Sequence, residues 1–199
     1  CMEEHTATID DVTYPLVDPF MVIATQNPLE SMGTYPLPEA QLDRFFIKTA
    51  VGYPDFKNGV EILRRFGEVR AVKAESPAIS LSDVTAAMAE TAKIFCHDDL
   101  LEYITAIVEM TRKMPGVVLG ASPRAGLSLL MAAKGFAVIA GRGYVLPDDV
   151  KKAAVPVLCH RLILSSSEML KKNSAEKIIS DVLSRVAVPT ETVFDGRKA

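Results

Sequence analysis

An apolar run at positions 20–25, Phe-Met-Val-Ile-Ala-Thr, gives way abruptly to Gln26-Asn27-Pro28. A run of this length without polar alternation is typical of a strand in a parallel sheet that is covered on both faces. The stretch 46–51 predicts a second strand, and 36–44 between the two predicts a short helix with Pro38 in its first turn. This succession of strand, helix and strand predicts an α/β layer.

The beginning of the chain predicts a hairpin in addition to this layer. The β-prone stretches 6–9 and 12–16 are separated by Asp10-Asp11, and two turn-tolerant residues between such stretches predict a tight hairpin even without glycine. Two strands and one hairpin are too few for a self-sufficient sheet.

Helical periodicity replaces this pattern after Gly52-Tyr53-Pro54-Asp55. Asp55 predicts the cap of a helix that runs to about residue 66, and the chain from about residue 76 onward is expected to be entirely helical. The predicted helices are 83–95 capped by Ser82, an amphipathic helix at 98–114, an Ala/Leu-rich central helix at 123–140, a helix at 147–158 and a last one capped by Ser174. The expected fold class is therefore α/β plus all-α, with an α/β part at 1–54, a linker helix and connection at 55–75 and a helical bundle at 76–199.

Composition narrows the classes of partner. A net charge of −3, with 49% hydrophobic and 24% charged residues, gives no positive field for nucleic acid. The 3 cysteines form no C-x-x-C pair and the 3 histidines no metal-ligand spacing, so we expect a reducing, cytoplasmic compartment and no metal site. A stretch of about 18 consecutive apolar residues is absent, so membrane insertion is not expected.

Asn27 is the first candidate functional residue. Ligands of open α/β sheets bind beyond the carboxyl ends of the strands, where Asn27 would lie. An amide can orient a water molecule beside a phosphate without repelling it. The alternative is that Gln26-Asn27-Pro28 only turns the chain.

Two arginines are the other candidates. Arg44 ends the short helix, where it could reach a neighbouring subunit and stabilise charge on a phosphoryl group, or simply pair with Asp43 at the surface. Arg124 lies in the first turn of the central helix, after Ser122 and Pro123, where the helix dipole disfavours a cation. It therefore needs an anionic partner such as phosphate, unless it extends into solvent from the bundle.

The order of these three residues resembles sensor 1, arginine finger and sensor 2 of the AAA+ ATPases. The segments "ATQNPLESMGTYPLPEAQLDRF", "GASPRAGLSLL" and "GRGYVLPDDV" resemble sequences of the MoxR branch of that superfamily. The resemblance implies that Asn27 is sensor 1, Arg44 the finger that acts on the neighbouring protomer and Arg124 sensor 2. It also implies a pre-sensor-1 hairpin at 6–16 and a helical lid from about residue 76.

The same resemblance implies ATP and Mg²⁺ as cofactors, a ring of protomers expected to be hexameric, and chaperone-like remodelling of a client protein. The sequence contains no G-x-x-x-x-G-K-[ST] loop and no acidic Mg²⁺-binding strand end, and both precede this region in the family. We therefore expect a carboxy-terminal part of an ATPase that binds ATP weakly and has no turnover alone. Two alternatives stay open, a non-enzymatic helical adaptor and a magnesium-chelatase-type AAA+ subunit.

Overall fold

A computed structural model describes residues 5–26, 37–67, 78–170 and 174–189 of the chain. It contains a hairpin and short segments at the start, followed by a helical bundle that holds the hydrophobic core.

The predicted hairpin is confirmed. Strands β1 (Thr6–Ile9) and β2 (Val12–Pro15) pair antiparallel, with Ile9 opposite Val12. Asp10 and Asp11 form the turn with φ of 47° and 65°. Two central residues with positive φ give the turn type whose twist matches that of the strands, and aspartate tolerates this region better than most residues.

The two predicted strands at 20–25 and 46–51 are not formed in the described chain, so that prediction was wrong. Both stretches lack ladder partners there, and Met21, Ile23 and Val51 are 78%, 81% and 99% exposed. Extended backbone becomes a strand only when a neighbouring strand satisfies its N–H and C=O groups. The apolar pattern therefore records a tendency that pairing has to complete.

The short helix and the linker helix are both present. Helix α1 (Glu39–Leu42) begins directly after Pro38 and ends at Asp43. Helix α2 (Phe56–Gly67) is capped by Asp55, whose carboxylate accepts a hydrogen bond from the backbone N–H of Asn58 at 2.7 Å.

The cap of the next helix differs from the prediction. Helix α3 (Leu81–Lys93) is capped by Ser80, not Ser82. Ser80 accepts from the N–H of Asp83 at 3.2 Å, and the Asp83 carboxylate accepts from the N–H of Ser80 at 2.9 Å. This reciprocal pairing needs an acidic residue three positions after the serine, which Ser80 has and Ser82 lacks.

The remaining long helices form the bundle. In chain order they are α4 (Asp98–Lys113), α5 (Pro123–Ile139), α6 (Pro147–Leu158) and α8 (Ala175–Arg185), and the short α7 (Ser166–Leu170) lies between α6 and α8 in the chain. Helix α5 packs against α3, α4 and α6, as expected of a central helix. One of its faces is nevertheless open, because Leu127 and Met131 are 67% and 46% exposed. Large side chains of the core are Leu100, Ile104, Ile107, Leu129, Val150, Val157, Leu158, Ile179 and Val182.

The bundle is not entirely helical, which corrects the prediction for the chain after residue 76. Strand β3 (Val117–Leu119) pairs antiparallel with β4 (Ile163–Leu164), and a 3-10 turn, Cys159–Arg161, joins α6 to β4. The ribbon ties the α4–α5 connection to the segment after α6. Among the helices in the described ranges, none has the length and apolarity needed to cross a membrane.

Candidate functional site

Of the three candidate residues, Asn27 lies outside the described residues, whereas Arg44 and Arg124 lie within them. Arg44 is exposed and follows the last residues of α1, and its backbone N–H donates to the carbonyl oxygen of Gln41 at 3.2 Å. The helix ends at Leu42, two residues earlier than predicted, and Arg44 follows it at the surface.

Arg124 occupies the first turn of α5. Ser122 caps this helix by accepting from the N–H of Ala125 at 3.3 Å, and Pro123 opens it. The Arg124 side chain is 43% exposed, and its Nη1 lies 3.8 Å from Oδ2 of Asp43. The carboxylate of Asp43 is therefore an anionic partner for Arg124, which lies at the positive end of the helix dipole. Arg124 contacts the residue that directly precedes Arg44 in the chain.

Asp43 joins the end of α1 to the bundle. The hydroxyl of Ser122 donates to both carboxylate oxygens of Asp43, at 3.1 and 2.9 Å. The Asp43 side chain is 22% exposed and also forms an ion pair with Arg161, Nε to Oδ1, at 3.2 Å. Asp43 is therefore a half-buried contact between two parts of the fold.

Arg161 is a residue that sequence reasoning missed. Its side chain is 1% exposed. Nη1 donates to the carbonyl oxygen of Val157 at 2.6 Å, and Nη2 donates to the carbonyl oxygens of Phe45 and Asp43 at 2.7 and 3.1 Å and to Oγ of Ser128 at 3.1 Å. Burial lowers the pKa of Arg161, and the Asp43 carboxylate opposes this effect. The sequence signal was a single cation inside the apolar stretch "VLCHRLIL".

His160 extends the same contact. Its Nε2 lies 3.0 Å from the carbonyl oxygen of Phe45, and since a carbonyl only accepts, Nε2 carries the proton. Burial lowers the pKa of His160, so the ring is neutral near pH 7. The backbone N–H of Lys48 donates to the carbonyl oxygen of Pro156 at 2.8 Å. Residues 43–48 are therefore held along the carboxyl end of α6.

The motif "GRGYVLPDDV" is structural. Arg142 forms a bidentate pair with Asp149, at 2.8 Å from Nη1 to Oδ2 and 2.7 Å from Nη2 to Oδ1. Asp149 is 2% exposed and also accepts from the backbone N–H of Leu146 at 2.8 Å. This arrangement satisfies a free N–H group at the start of α6 and fixes the turn that follows α5.

Other chemistries find little support. Within the described ranges, no cluster of three or more His, Cys, Asp or Glu side chains is placed to hold a metal ion. Burial raises the pKa of Cys159 to about 12 and also raises the pKa of Cys96, which opposes thiolate formation at both.

A groove of about 320 Å³ lies between α4 and α5 and is lined mainly by apolar side chains. Arg44 and Arg124 do not line it. The groove is therefore separate from the arginines around Asp43.

Comparison with known proteins agrees with this architecture. The family model "AAA lid domain" matches residues 109–182, and the model "ATPase family associated with various cellular activities (AAA)" matches residues 1–47. Together these matches span more than half of the chain and describe part of a nucleotide-binding domain followed by a helical lid. The chain is an AAA+ protein by fold.

Similarity to individual proteins indicates the branch of the AAA+ superfamily. It is 40% identical over 190 residues to the uncharacterized protein YeaC of Bacillus subtilis, covering 96% of this chain and 59% of the relative. It is 40% identical over 197 residues to the chaperone MoxR1 of Mycobacterium tuberculosis, covering 94% of this chain and 52% of the relative. A crystal structure from Cytophaga hutchinsonii, of a protein proposed to be an ATPase, superposes with a TM-score of 0.85 at 37% identity, covering 96% of this chain and 60% of that one.

The chain belongs to the MoxR-type AAA+ ATPases. It spans about half to three fifths of the length of these relatives.

Proposed function

We propose that this chain is the phosphate-sensing and lid part of a MoxR-type ATPase that couples ATP hydrolysis to the remodelling of client proteins. The observation that carries the proposal is the contact between Arg124, at the start of α5, and Asp43, the residue before Arg44. Arg124 lies in the first turn of a helix and Arg44 is exposed, and guanidinium groups in such positions suit ligands with several negative oxygens.

Each residue has a separate role in this proposal. Asn27 orients the attacking water beside the terminal phosphate, and Arg124 binds that phosphate from the first turn of α5. Arg44 stabilises the charge that develops on the phosphoryl group bound by the neighbouring protomer. When bound, ATP with Mg²⁺ supplies the phosphoryl group and neutralises part of its charge.

The residues in this chain fit one end of the nucleotide only. The sequence has no loop of the form G-x-x-x-x-G-K-[ST], and the described residues contain no metal-ligand cluster. Other parts of the complete ATPase therefore have to supply the phosphate-binding loop and the Mg²⁺ ligands. We propose that the nucleotide domain ends near residue 54 and the lid begins near residue 76.

The proposed setting is a cytoplasmic ring of protomers, hexameric as in the family resemblance. Trans action of Arg44 requires a neighbour, and the name of the relative MoxR1 supports a chaperone-like role. We propose no contact with nucleic acid and no membrane insertion, in keeping with the net charge of −3.

The first test concerns this chain alone. We expect isothermal titration with ATP·Mg²⁺ to give no binding in the low-micromolar range, and a phosphate-release assay to give no turnover, because the phosphate-binding loop is missing. Tight binding by the chain alone would contradict this division of the site.

The second test concerns Arg44 in the complete ATPase. Arg44→Ala should abolish hydrolysis and leave nucleotide binding intact, because an interaction made in the transition state is lost and ground-state binding is kept. The control is Arg65→Ala on α2, another exposed arginine, which pairs with Glu61 and should keep full activity when replaced.

Mixed rings then test trans action. Rings that combine Arg44→Ala protomers with protomers defective in the phosphate-binding loop should regain part of the activity. Failure to regain any would exclude the trans role. Full activity of Arg44→Ala rings would exclude the finger role of Arg44, whereas absence of hydrolysis in the wild-type complete protein would favour the non-enzymatic adaptor.

A further inference from the structure

A polar network surrounds Arg161; we define the Arg161 network as Arg161, Asp43, Ser122, Ser128 and the carbonyl group of Phe45. Arg161 is almost completely buried, and its Nε and both terminal nitrogens all have acceptors. Burial of a charge is costly unless it is paired and hydrogen-bonded. A fully satisfied network of this kind holds its members in one geometry.

The Arg161 network forms hydrogen bonds with the backbone on both sides of Arg44. Nη2 of Arg161 donates to the carbonyl oxygens of Asp43, at 3.1 Å, and Phe45, at 2.7 Å. His160 donates to the same Phe45 oxygen at 3.0 Å. The residues before and after Arg44 are therefore bound by Arg161 and the partly buried His160, in the turn that follows α6, and this leaves little freedom for the Cα position of Arg44.

The network also reaches the start of α5. The Asp43 carboxylate that pairs with Nε of Arg161 at 3.2 Å accepts from the hydroxyl of Ser122, two residues before Arg124. The same carboxylate lies 3.8 Å from Nη1 of Arg124. One buried guanidinium thus connects the anchor points of both proposed phosphate-binding arginines.

Structural stability alone does not require this arrangement. An apolar side chain of similar volume is often as stabilising as a buried ion pair, so the pair is better explained by the specific geometry it imposes. Here that geometry is the relative position of Arg44 and Arg124.

We propose that Arg161 is a positioning residue for hydrolysis: acting through Asp43 and the Phe45 carbonyl group, it fixes Arg44 and Arg124 relative to one another. This inference rests on the proposed function. It adds two residues, Arg161 and Asp43, which touch no nucleotide themselves.

The test uses the complete ATPase carrying Arg161→Met. Displacement of a transition-state group by about 1 Å can cost on the order of a hundredfold in rate. We therefore expect kcat to fall on the order of tenfold to a hundredfold, with the KM for ATP changed less than about twofold. Arg161→Lys should fall between wild type and Arg161→Met, because one ammonium cannot make the forked set of contacts.

The matched control is Arg142→Met. It removes another arginine–aspartate pair, with buried Asp149, beyond the far end of α5, roughly 24 Å along the helix from Arg124. It should lower the stability of the lid and leave kcat unchanged at temperatures where the protein is folded. If Arg161→Met and Arg142→Met lowered kcat equally, Arg161 would be only structural and the inference would be wrong.

Asp43→Asn decides the question if Arg161→Met does not fold. Asparagine keeps the size of the side chain and an acceptor for Ser122 but loses the ion pair, so a loss of kcat without a change in KM is again expected. Unchanged kcat in Asp43→Asn would overturn the inference. Arg44→Ala distinguishes failure of this inference from failure of the proposed function. If Arg44→Ala is inactive while Asp43→Asn and Arg161→Met are fully active, only the inference fails. If Arg44→Ala is fully active, the proposed function itself fails.

Discussion

Asp43 and His160 make contacts at the candidate site that their positions in the sequence do not predict. Asp43 contacts Ser122, Arg124 and Arg161 through one carboxylate. His160 binds the backbone next to Arg44 with a neutral ring. At the scale of single residues, the site is therefore a set of buried polar contacts that bring a short segment onto the bundle.

His160 should make the stability of the chain sensitive to acid. Burial lowers the pKa of His160, with further lowering by Arg161 and Lys48, whereas the hydrogen bond to Phe45 and the charge of Asp43 raise it. The unfolded chain takes up a proton near the ordinary histidine pKa of about 6.5, and the folded chain does so only at lower pH. The stability contribution is therefore complete above about pH 6.5 and is lost as the pH falls through the folded-state pKa.

The measurement is urea unfolding of the wild type and of His160→Gln at pH 7.5 and 5.5. Glutamine keeps an N–H donor for Phe45 and does not titrate, so the wild type should lose more stability on acidification than the variant. An equal loss in both proteins would show that His160 does not cause the acid sensitivity.

At the scale of elements, the connection between α4 and α5 explains why a glycine stands at position 120, in the segment "LGASPRAG". A Cβ at Gly120 would lie 2.8 Å from the backbone N and Cα of Arg112, so the two backbones touch there. Thr111 and Arg112 then bind the next residue, Ala121, through its N–H and its carbonyl group, both at 2.9 Å. Gly120 therefore serves close packing of α4 against the start of α5.

Gly120→Ala and Gly126→Ala should have opposite effects. The first adds a methyl group against fixed backbone and should lower the free energy of unfolding by about 1–3 kcal/mol. The second adds one inside α5, where the nearest atom is Val108 Cγ2 at 3.7 Å, and should raise it by roughly 0.5–1 kcal/mol. Urea unfolding of the two variants checks both signs, and equal destabilisation would contradict the close approach at Gly120.

The stability of the whole molecule resides in the bundle. Its buried cluster runs from Ile94 to Val186, whereas the apolar side chains of the first part, such as Val17, Ile23 and Tyr53, are largely exposed. Exposed apolar surface of this kind favours association with a further part of the protein or with a second copy. The two regions should therefore respond differently to the same truncation.

Leu129→Ala in the bundle should lower the free energy of unfolding by about 2–5 kcal/mol, since the side chain is fully buried. Ile23→Ala, at 81% exposure, should change it by less than about 0.5 kcal/mol in a monomer. Unfolding measured at two protein concentrations, with sedimentation to fix the oligomeric state, tests the contrast. A large, concentration-dependent cost of Ile23→Ala would show that another copy covers this segment.

Local rules were sufficient for much of the fold. The hairpin turn at Asp10-Asp11, the start of a helix at Pro123 and the Ser174 cap of α8 all follow from contacts within a few residues along the chain. The two apolar strands failed because ladder pairing depends on a neighbouring strand, and the β3–β4 ribbon was missed because its short strands carry little periodicity.

The sequence by itself determined the family, the caps of α2 and α8 and the choice of Arg44 and Arg124 as candidates. Only the tertiary structure revealed that Asp43, Ser122 and Arg161 connect the two arginines. Arg161 lies 118 residues from Asp43 along the chain. The burial that gives their contact its strength results from packing of the whole bundle, and no short stretch of sequence specifies it.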